Sequence, residues 1–313
     1  MTNKMQVVQY RRHGGPEVLT YETVPVPNPG AGEVLVRLAA AGVSPLDWKL
    51  RAGLLSTHFT LRFPKIPGRD GAGTIVALGE GVQGFAPDDR VAVMAPPVGS
   101  EGTYAEHIVA RVEFVVPLPA SISFQSGAAI INAGLSAWIA VHRTAQVQPG
   151  QRVLVQAGAG AVGGLIVQLC AKMGAEVSVT CRADNADYAR SLGATTVVAY
   201  DRPAETDLPP QDVVFDLMGG AVHDACYPLL AKGGHLVWLT AAPFTDRGAE
   251  WGVRISRAQI TDDADVVAKV LALAVKGDIR PQIAGVLPLS EAAEAQRRMA
   301  AGEISRGRLL LLT

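Results

Sequence analysis

The chain has 313 residues, a formal net charge of −1 at pH 7 and a mean hydropathy of +0.22. That length exceeds one ordinary domain and suggests two, and the near-zero charge without a basic stripe gives no electrostatic reason to expect nucleic acid or an anionic membrane as partner. MTNKMQVVQY carries no apolar signal core and no unbroken apolar run reaches the roughly 18 residues of a membrane helix, so the expected location is cytoplasmic.

In chain order, residues 1 to about 122 are rich in Gly and Pro and hold short β-like runs at 34–38, 74–78, 91–94 and 107–109. That pattern predicts a β-rich domain with irregular loops. From about 123 to 260, apolar runs alternate with helix-period segments, the pattern of a parallel sheet with crossover helices. Strands are predicted at 153–157, 177–181, 195–200, 212–217, 235–239 and 253–257. A helix at about 262–276 and the apolar end from Arg308 to Leu312 depart from this alternation and are expected to rejoin the first domain. The predicted fold class is α/β: a doubly wound parallel sheet at 123–260, with a β-rich domain from 1–122 plus 261–313. Cys170, Cys181 and Cys226 are far apart and odd in number, and read as small buried hydrophobes in a reducing compartment.

The most informative stretch is VLVQAGAGAVGGLIVQLCAKMGAEVSVTC at 153–181. An apolar strand runs into Gly158, Gly160 and Gly163, followed by a helix whose Val162, Leu165, Ile166, Leu169 and Met173 form one apolar stripe. Gly158 permits the tight turn, Gly160 leaves room for a pyrophosphate, and Gly163 lets the helix lie against the sheet, with the helix N-terminus facing the phosphates. Gly174 stops the helix. A site for NAD places Asp or Glu at the end of the second strand, to bond the ribose 2′-hydroxyl. Here that position holds Cys181, followed by Arg182. A carboxylate would repel a 2′-phosphate whereas a guanidinium binds it, so NADPH is expected over NADH. Asp184 and Asp187 are expected to cap and begin the helix through Leu192.

These residues carry a family resemblance along nearly the whole chain: GPEVL at 15–19, GEVLVRLAAAGVSPLDWKLRAG at 32–53, PGRDGAGTIVALGEGV at 67–82, GTYAEHIV at 102–109, the glycine turn, VFDLMGG at 214–220, GGHLVWL at 233–239 and GDIRPQI with PLSEAAEAQRRM at 277–299. The chain resembles the zinc-independent members of the medium-chain dehydrogenase/reductase superfamily, in the quinone oxidoreductase and enone reductase branch. The resemblance implies a GroES-like β domain for the substrate, a Rossmann domain for NADPH, a cleft between them, and a homodimer formed through the edge strand at 253–260.

Zinc-dependent relatives carry a Cys where this chain has Ser44, and Gly-His-Glu where it has Gly68, Arg69 and Asp70. The segment from Met94 to Tyr104 has no Cys for a structural zinc, and the six histidines show no ligand spacing, so no metal is expected. Without a Lewis acid, conjugated substrates suit the site, because charge arriving with hydride passes onto an oxygen that hydrogen-bond donors can hold. The expected partner is a small quinone or conjugated carbonyl.

The resemblance further implies site residues. The segment with Ser44, Asp47 and Trp48 lines the cleft; Asp47 is read either as a helper of proton transfer or as a turn residue, and Trp48 either as an apolar wall or as core. Lys49 and Arg51 are read as solvated charges. Tyr104 is read either as a proton donor or as packing. On the cofactor side the resemblance points to Ser136 at the nicotinamide end and Tyr200 near the 2′-phosphate. Ala161 and Val162 belong to the glycine turn, and Leu217, Met218, Leu239 and Thr240 sit at strand ends lining the groove. Two other functions stay open: a tailoring reductase of a bulky biosynthetic intermediate, and a non-catalytic NADPH-binding protein.

Overall fold

The computed structural model describes residues 4–202, 208–240 and 244–313. Six parallel strands lie side by side in the order Thr196–Ala199, Glu176–Cys181, Arg152–Val155, Gln211–Asp216, Leu230–Trp238 and Arg254–Arg257. Strand order therefore reverses beside Arg152–Val155, which opens a crevice at the carboxyl end of that strand. All six predicted strands are present. Only one is markedly longer than expected, starting at Leu230, because the register against Gln211–Asp216 shifts there and Gly233 takes φ +79° within the irregularity. Arg254–Arg257 is one edge of the sheet.

A second sheet of seven strands runs Ile283–Pro288, Arg308–Leu312, Glu33–Val43, Asp70–Leu78, Arg90–Met94 and Val115–Pro117, with His107–Arg111 also on Glu33–Val43. The four β-like runs read from the sequence all fall inside it. Leu309, Leu310 and Leu311 pair antiparallel with Val43, Gly42 and Ala41, so the chain's last strand completes this sheet.

Helix Phe124–Trp138 lies between the two sheets, capped by Ser123, whose hydroxyl accepts the Ser126 N–H at 3.1 Å. Its Gly134 lets helix Ala264–Val275 come close: a Cβ there would stand 2.4 Å from Val270 Cγ1. The helix continues through Ala145, and over these 22 residues it is long and apolar enough to cross a bilayer, yet 72% of its most apolar window is buried within the fold. Burial explains the apolarity of this core helix.

The tail also ties the two sheets together. Gly307 N–H donates to Ala159 O at 3.0 Å inside the glycine turn, and Asn185 Nδ2 donates to Ser305 O at 3.1 Å. Gln168 bonds the backbone of Arg280 in both directions, and Lys172 pairs with Asp278 at 2.6 Å. One step after Gly307 the chain enters the β sheet at Arg308, so the cofactor turn and the substrate side share a short stretch of backbone.

Candidate active site

The glycine turn has the geometry the sequence requires. A Cβ on Gly158 would lie 2.6 Å from Val179 Cβ, and one on Gly163 would lie 2.3 Å from Ala157 O, so both glycines are demanded by the protein's own packing. Gly160 differs. Its φ of −70° suits any residue, and a Cβ there would meet only Ala157 O, at 3.3 Å. Its open side is a cradle that a side chain would fill, which fits an approaching pyrophosphate. Ala157, at φ +55°, donates its N–H to Thr180 Oγ1, Gly158 donates to Thr180 O, and Gly160 donates to Ala157 O. Within the helix Ala161–Lys172 the first bond runs from Gly164 N to Gly160 O, leaving the N–H groups of Ala161, Val162 and Gly163 at an open helix N-terminus suited to phosphate.

At the adenosine end, Cys181 is buried and Arg182 exposed, with Arg182 Nη2 reaching Gly302 O at 3.4 Å. Tyr200 is 61% exposed, and its N–H donates to the carbonyl of Cys181, the residue before Arg182. Two carboxylates share this corner. Asp201 is turned onto the Ala183 N–H at 2.9 Å, and Asp184 faces Arg202 at 4.0 Å. The expected cap is not formed: Asp184 sits inside the short turn Ala183–Asn185, and the next helix starts at Ala186 after an Asn185 that makes no side-chain cap bond. The helix begins one residue later than a cap at Asp184 would need, while Asp187 lies in its first turn as expected and pairs with Arg190 at 2.9 Å.

Across the crevice, Asp216 holds the next loop. One of its carboxylate oxygens accepts the N–H groups of Met218 and Gly219, both at 2.8 Å, and the other meets buried His223 at 2.9 Å. Met218 is left 56% exposed at the strand end, with Leu217 half-buried beneath. Leu239 and Thr240 are half-buried at the end of the neighbouring strand, and the Leu239 N–H donates to Asp216 O. Ser136 is half-buried on the core helix, one turn beyond Asn132.

The substrate side departs more from expectation. The Ser44 N–H and hydroxyl both donate to Asp47 Oδ2, at 2.7 and 2.9 Å, closing the start of helix Pro45–Arg51. Tyr104 is fully buried, and its hydroxyl donates to the same oxygen at 3.3 Å. Burial pushes this phenol well above its ordinary range, and its place behind Asp47 matches the packing role that the sequence also allowed. Burial also pushes the Asp47 carboxyl up, against the bonds from Ser44. Arg51 is no solvated charge: it is 2% exposed, and it bonds Gln296 at 2.7 Å and Gly14 O at 2.6 Å. Trp48 is half-buried, with Lys49 Nζ 5.8 Å from its ring centre.

Two ion pairs, one buried and one half-buried, were not visible in the sequence. Arg308 pairs with Asp70, which also accepts the Asn132 N–H at 3.0 Å, and Arg69 reaches Asp262 at 2.5 Å while donating to Ala95 O. These pairs settle how the vacated metal positions are used. Where a zinc site needs neutral or anionic N, S or O ligands, Arg69 presents a guanidinium and Asp70 is consumed by Arg308 and Asn132. Among the described residues there is no group of three His, Cys, Asp or Glu side chains placed to hold a metal. The residues do not fit zinc, and no chemical step is routed through it.

An open six-stranded parallel sheet with a phosphate cradle at its switch point, joined to a β domain with a polar cleft, defines a two-domain oxidoreductase that binds a nicotinamide cofactor. Residues 30–120 match the family described as "Alcohol dehydrogenase GroES-like domain", and 192–311 match "Zinc-binding dehydrogenase". The chain is 31% identical over 329 residues to the "Quinone oxidoreductase" of Pseudomonas aeruginosa, covering 97% of this chain and 98% of that one. It is 30% identical to the "NADPH-dependent alkenal/one oxidoreductase, chloroplastic" of Arabidopsis thaliana, over 93% of this chain and 75% of that one. A solved "NAD-dependent alcohol dehydrogenase" superposes with a TM-score of 0.90 at 29% identity, covering 98% of this chain and 99% of that one. The chain belongs to the medium-chain dehydrogenase/reductase superfamily, in its quinone oxidoreductase and enone reductase branch.

Proposed function

We propose that the protein is a zinc-independent, NADPH-dependent reductase that adds hydride to a quinone or an α,β-unsaturated carbonyl. The observation that carries this reading is the pairing of an open phosphate cradle at Gly160 with a cleft whose former metal positions hold Arg69 and Asp70 in ion pairs. The names borne by the relatives from Pseudomonas and Arabidopsis support the substrate class. The nicotinamide, when bound, supplies the hydride. The chain's own residues do the rest: the N–H groups of Ala161, Val162 and Gly163 hold the pyrophosphate, and Leu217, Met218, Leu239, Thr240 and Ser136 line the groove that aligns the ring. Ser44 and Trp48 flank the acceptor, and the folded-in cleft keeps water from competing.

Preference for NADPH rests on Arg182 and Tyr200. Asp201 is tied to backbone and Arg182 stands exposed at the strand end, with Asp184 and Arg202 exposed beside it and facing each other. Arg182→Ala is expected to raise the KM for NADPH about 10-fold, equal to ~1.4 kcal/mol, and to leave the KM for NADH unchanged. Steady-state kinetics with both cofactors checks this; equal preference in the parent enzyme would remove the assignment.

A further inference from the structure

The polar end of the cleft holds one group that the reaction as described leaves unused. Lys65 lines this narrow space with Tyr10, Asp47, Arg69 and Pro96, and is only 3% exposed. Its ammonium has three donors. Among the described residues its one hydrogen bond goes to Glu101 O at 2.6 Å, with no carboxylate partner. A buried cation with no carboxylate in direct contact is costly, and the cost falls when an anion arrives. Arg69, which shares this space, has its carbonyl 3.4 Å from Asn132 Nδ2, on the core helix that carries Ser136 one turn later.

The geometry points to Lys65 as the residue that takes the acceptor's oxygen: its ammonium holds the oxyanion that forms as hydride adds, and gives it a proton. The inference rests on the proposed reaction. Hydride brings two electrons and makes a new C–H bond on the acceptor carbon of the enone or the quinone ring; the conjugated π electrons shift and a pair comes to rest on oxygen. The Lys65 N–H bond then breaks as an O–H bond forms, giving an enol, and the neutral amine regains its proton from water. From a quinone this product is the keto tautomer of the hydroquinone; the hydroquinone itself forms when the new C–H gives its proton to water and the second oxygen takes one up.

Tyr104, the other candidate, spends its one donor on Asp47, whereas the Lys65 ammonium keeps donors beyond its bond to Glu101 O. Charges around Lys65 suit the role. Burial pulls its pKa down to about 8, Arg69 pushes the same way, and Asp47 and Glu101 oppose both. A donor that titrates near the working pH transfers its proton efficiently. Tyr10, whose backbone pairs with Lys65, has a phenol pushed far above its ordinary range and stays neutral.

The test uses Lys65→Met and Lys65→Arg. Lys65→Met should lower kcat about 100-fold with the KM for NADPH unchanged. The parent's kcat should fall as pH rises through about 8, where the ammonium is lost, and Lys65→Met should lack that limb. Lys65→Arg, which keeps the charge that holds the oxyanion but cannot give up a proton, should recover part of the rate and, like Lys65→Met, lack the limb. A readout without turnover uses 4-nitrophenol: in the presence of NADP⁺ the parent should bind it as phenolate, at lower pH than the free phenol ionises, and Lys65→Met should not. A folded Lys65→Met with parental kcat, or a parent that leaves the ionisation of 4-nitrophenol unchanged, overturns the inference. If Lys65→Met does not fold, Lys65→Arg and the parent's 4-nitrophenol titration decide. A parent that binds the phenolate through Lys65 but reduces no quinone or enone would instead sink the proposed reaction.

Discussion

Replacing Arg308 with Met should cost about 3–5 kcal/mol, seen as a fall of roughly 10 °C in melting temperature for a chain of this size. The guanidinium is 5% exposed and Asp70 is 1% exposed, so neither charge has water to fall back on. Burial pulls the Arg308 pKa down to about 10, which leaves the cation intact at neutral pH, and its Nε finds no acceptor among the described residues. Its stability therefore hangs on the Asp70 carboxylate. Removing the arginine strands that carboxylate with the Asn132 N–H alone; removing the carboxylate by Asp70→Asn strands the cation. Each single change should be severe, and Asp70→Asn with Arg308→Met together should cost less than the two losses added, because the pair disappears as a unit. Thermal melts of the three variants check this. A loss below about 1 kcal/mol for Arg308→Met would place the pair among solvent-screened ones.

The second large effect separates two glycines three residues apart. Gly160→Val should weaken NADPH binding by 100-fold or more, about 3 kcal/mol, with little change in the melting temperature of the free protein. The backbone there is extended and the added side chain meets only Ala157 O, so the protein accommodates what the pyrophosphate does not. Gly163→Val should do the reverse first: its Cβ is driven into Ala157 O at 2.3 Å, and overpacking of this kind costs about 1–3 kcal/mol or more. Fluorescence titration with NADPH and melts of the free variants measure both. If the two valines gave the same profile, Gly160 would be a packing residue and the phosphate cradle would lose its support.

Much of this site can be read along the chain because it is local. The turn at Gly158, Gly160 and Gly163, its strand and its helix lie within about thirty residues, and apolar periodicity marks the strands and helices that carry them. Leu217, Met218, Leu239 and Thr240 follow from strand ends alone. The substrate side is not local. Asp70 and Arg308 are far apart in sequence, and Arg69 meets Asp262 across a similar gap. Nothing periodic links such pairs; they exist only once the tail has folded back onto Glu33–Val43. Burial was misread for the same reason. Arg51 looks like a solvated charge in a helix of seven residues, and is buried because Gln296 and Gly14 arrive from elsewhere. Tyr104 carries a hydroxyl suited to proton transfer, yet the hydroxyl is spent on Asp47. Lys65 sits in a loop with no motif around it; its one signal, a charge beside apolar and proline residues in FPKIPG, is too common to single it out.

The measurement that tests the account most directly is NADPH oxidation by the purified protein, followed by loss of absorbance, against a panel of quinones, enones and saturated ketones, with NADH in parallel. The account predicts turnover of conjugated acceptors, at least about 10-fold higher kcat/KM with NADPH than with NADH, and no turnover of the saturated ketones. Tight NADPH binding with no turnover of any acceptor, or equal rates on saturated and conjugated carbonyls, would contradict it.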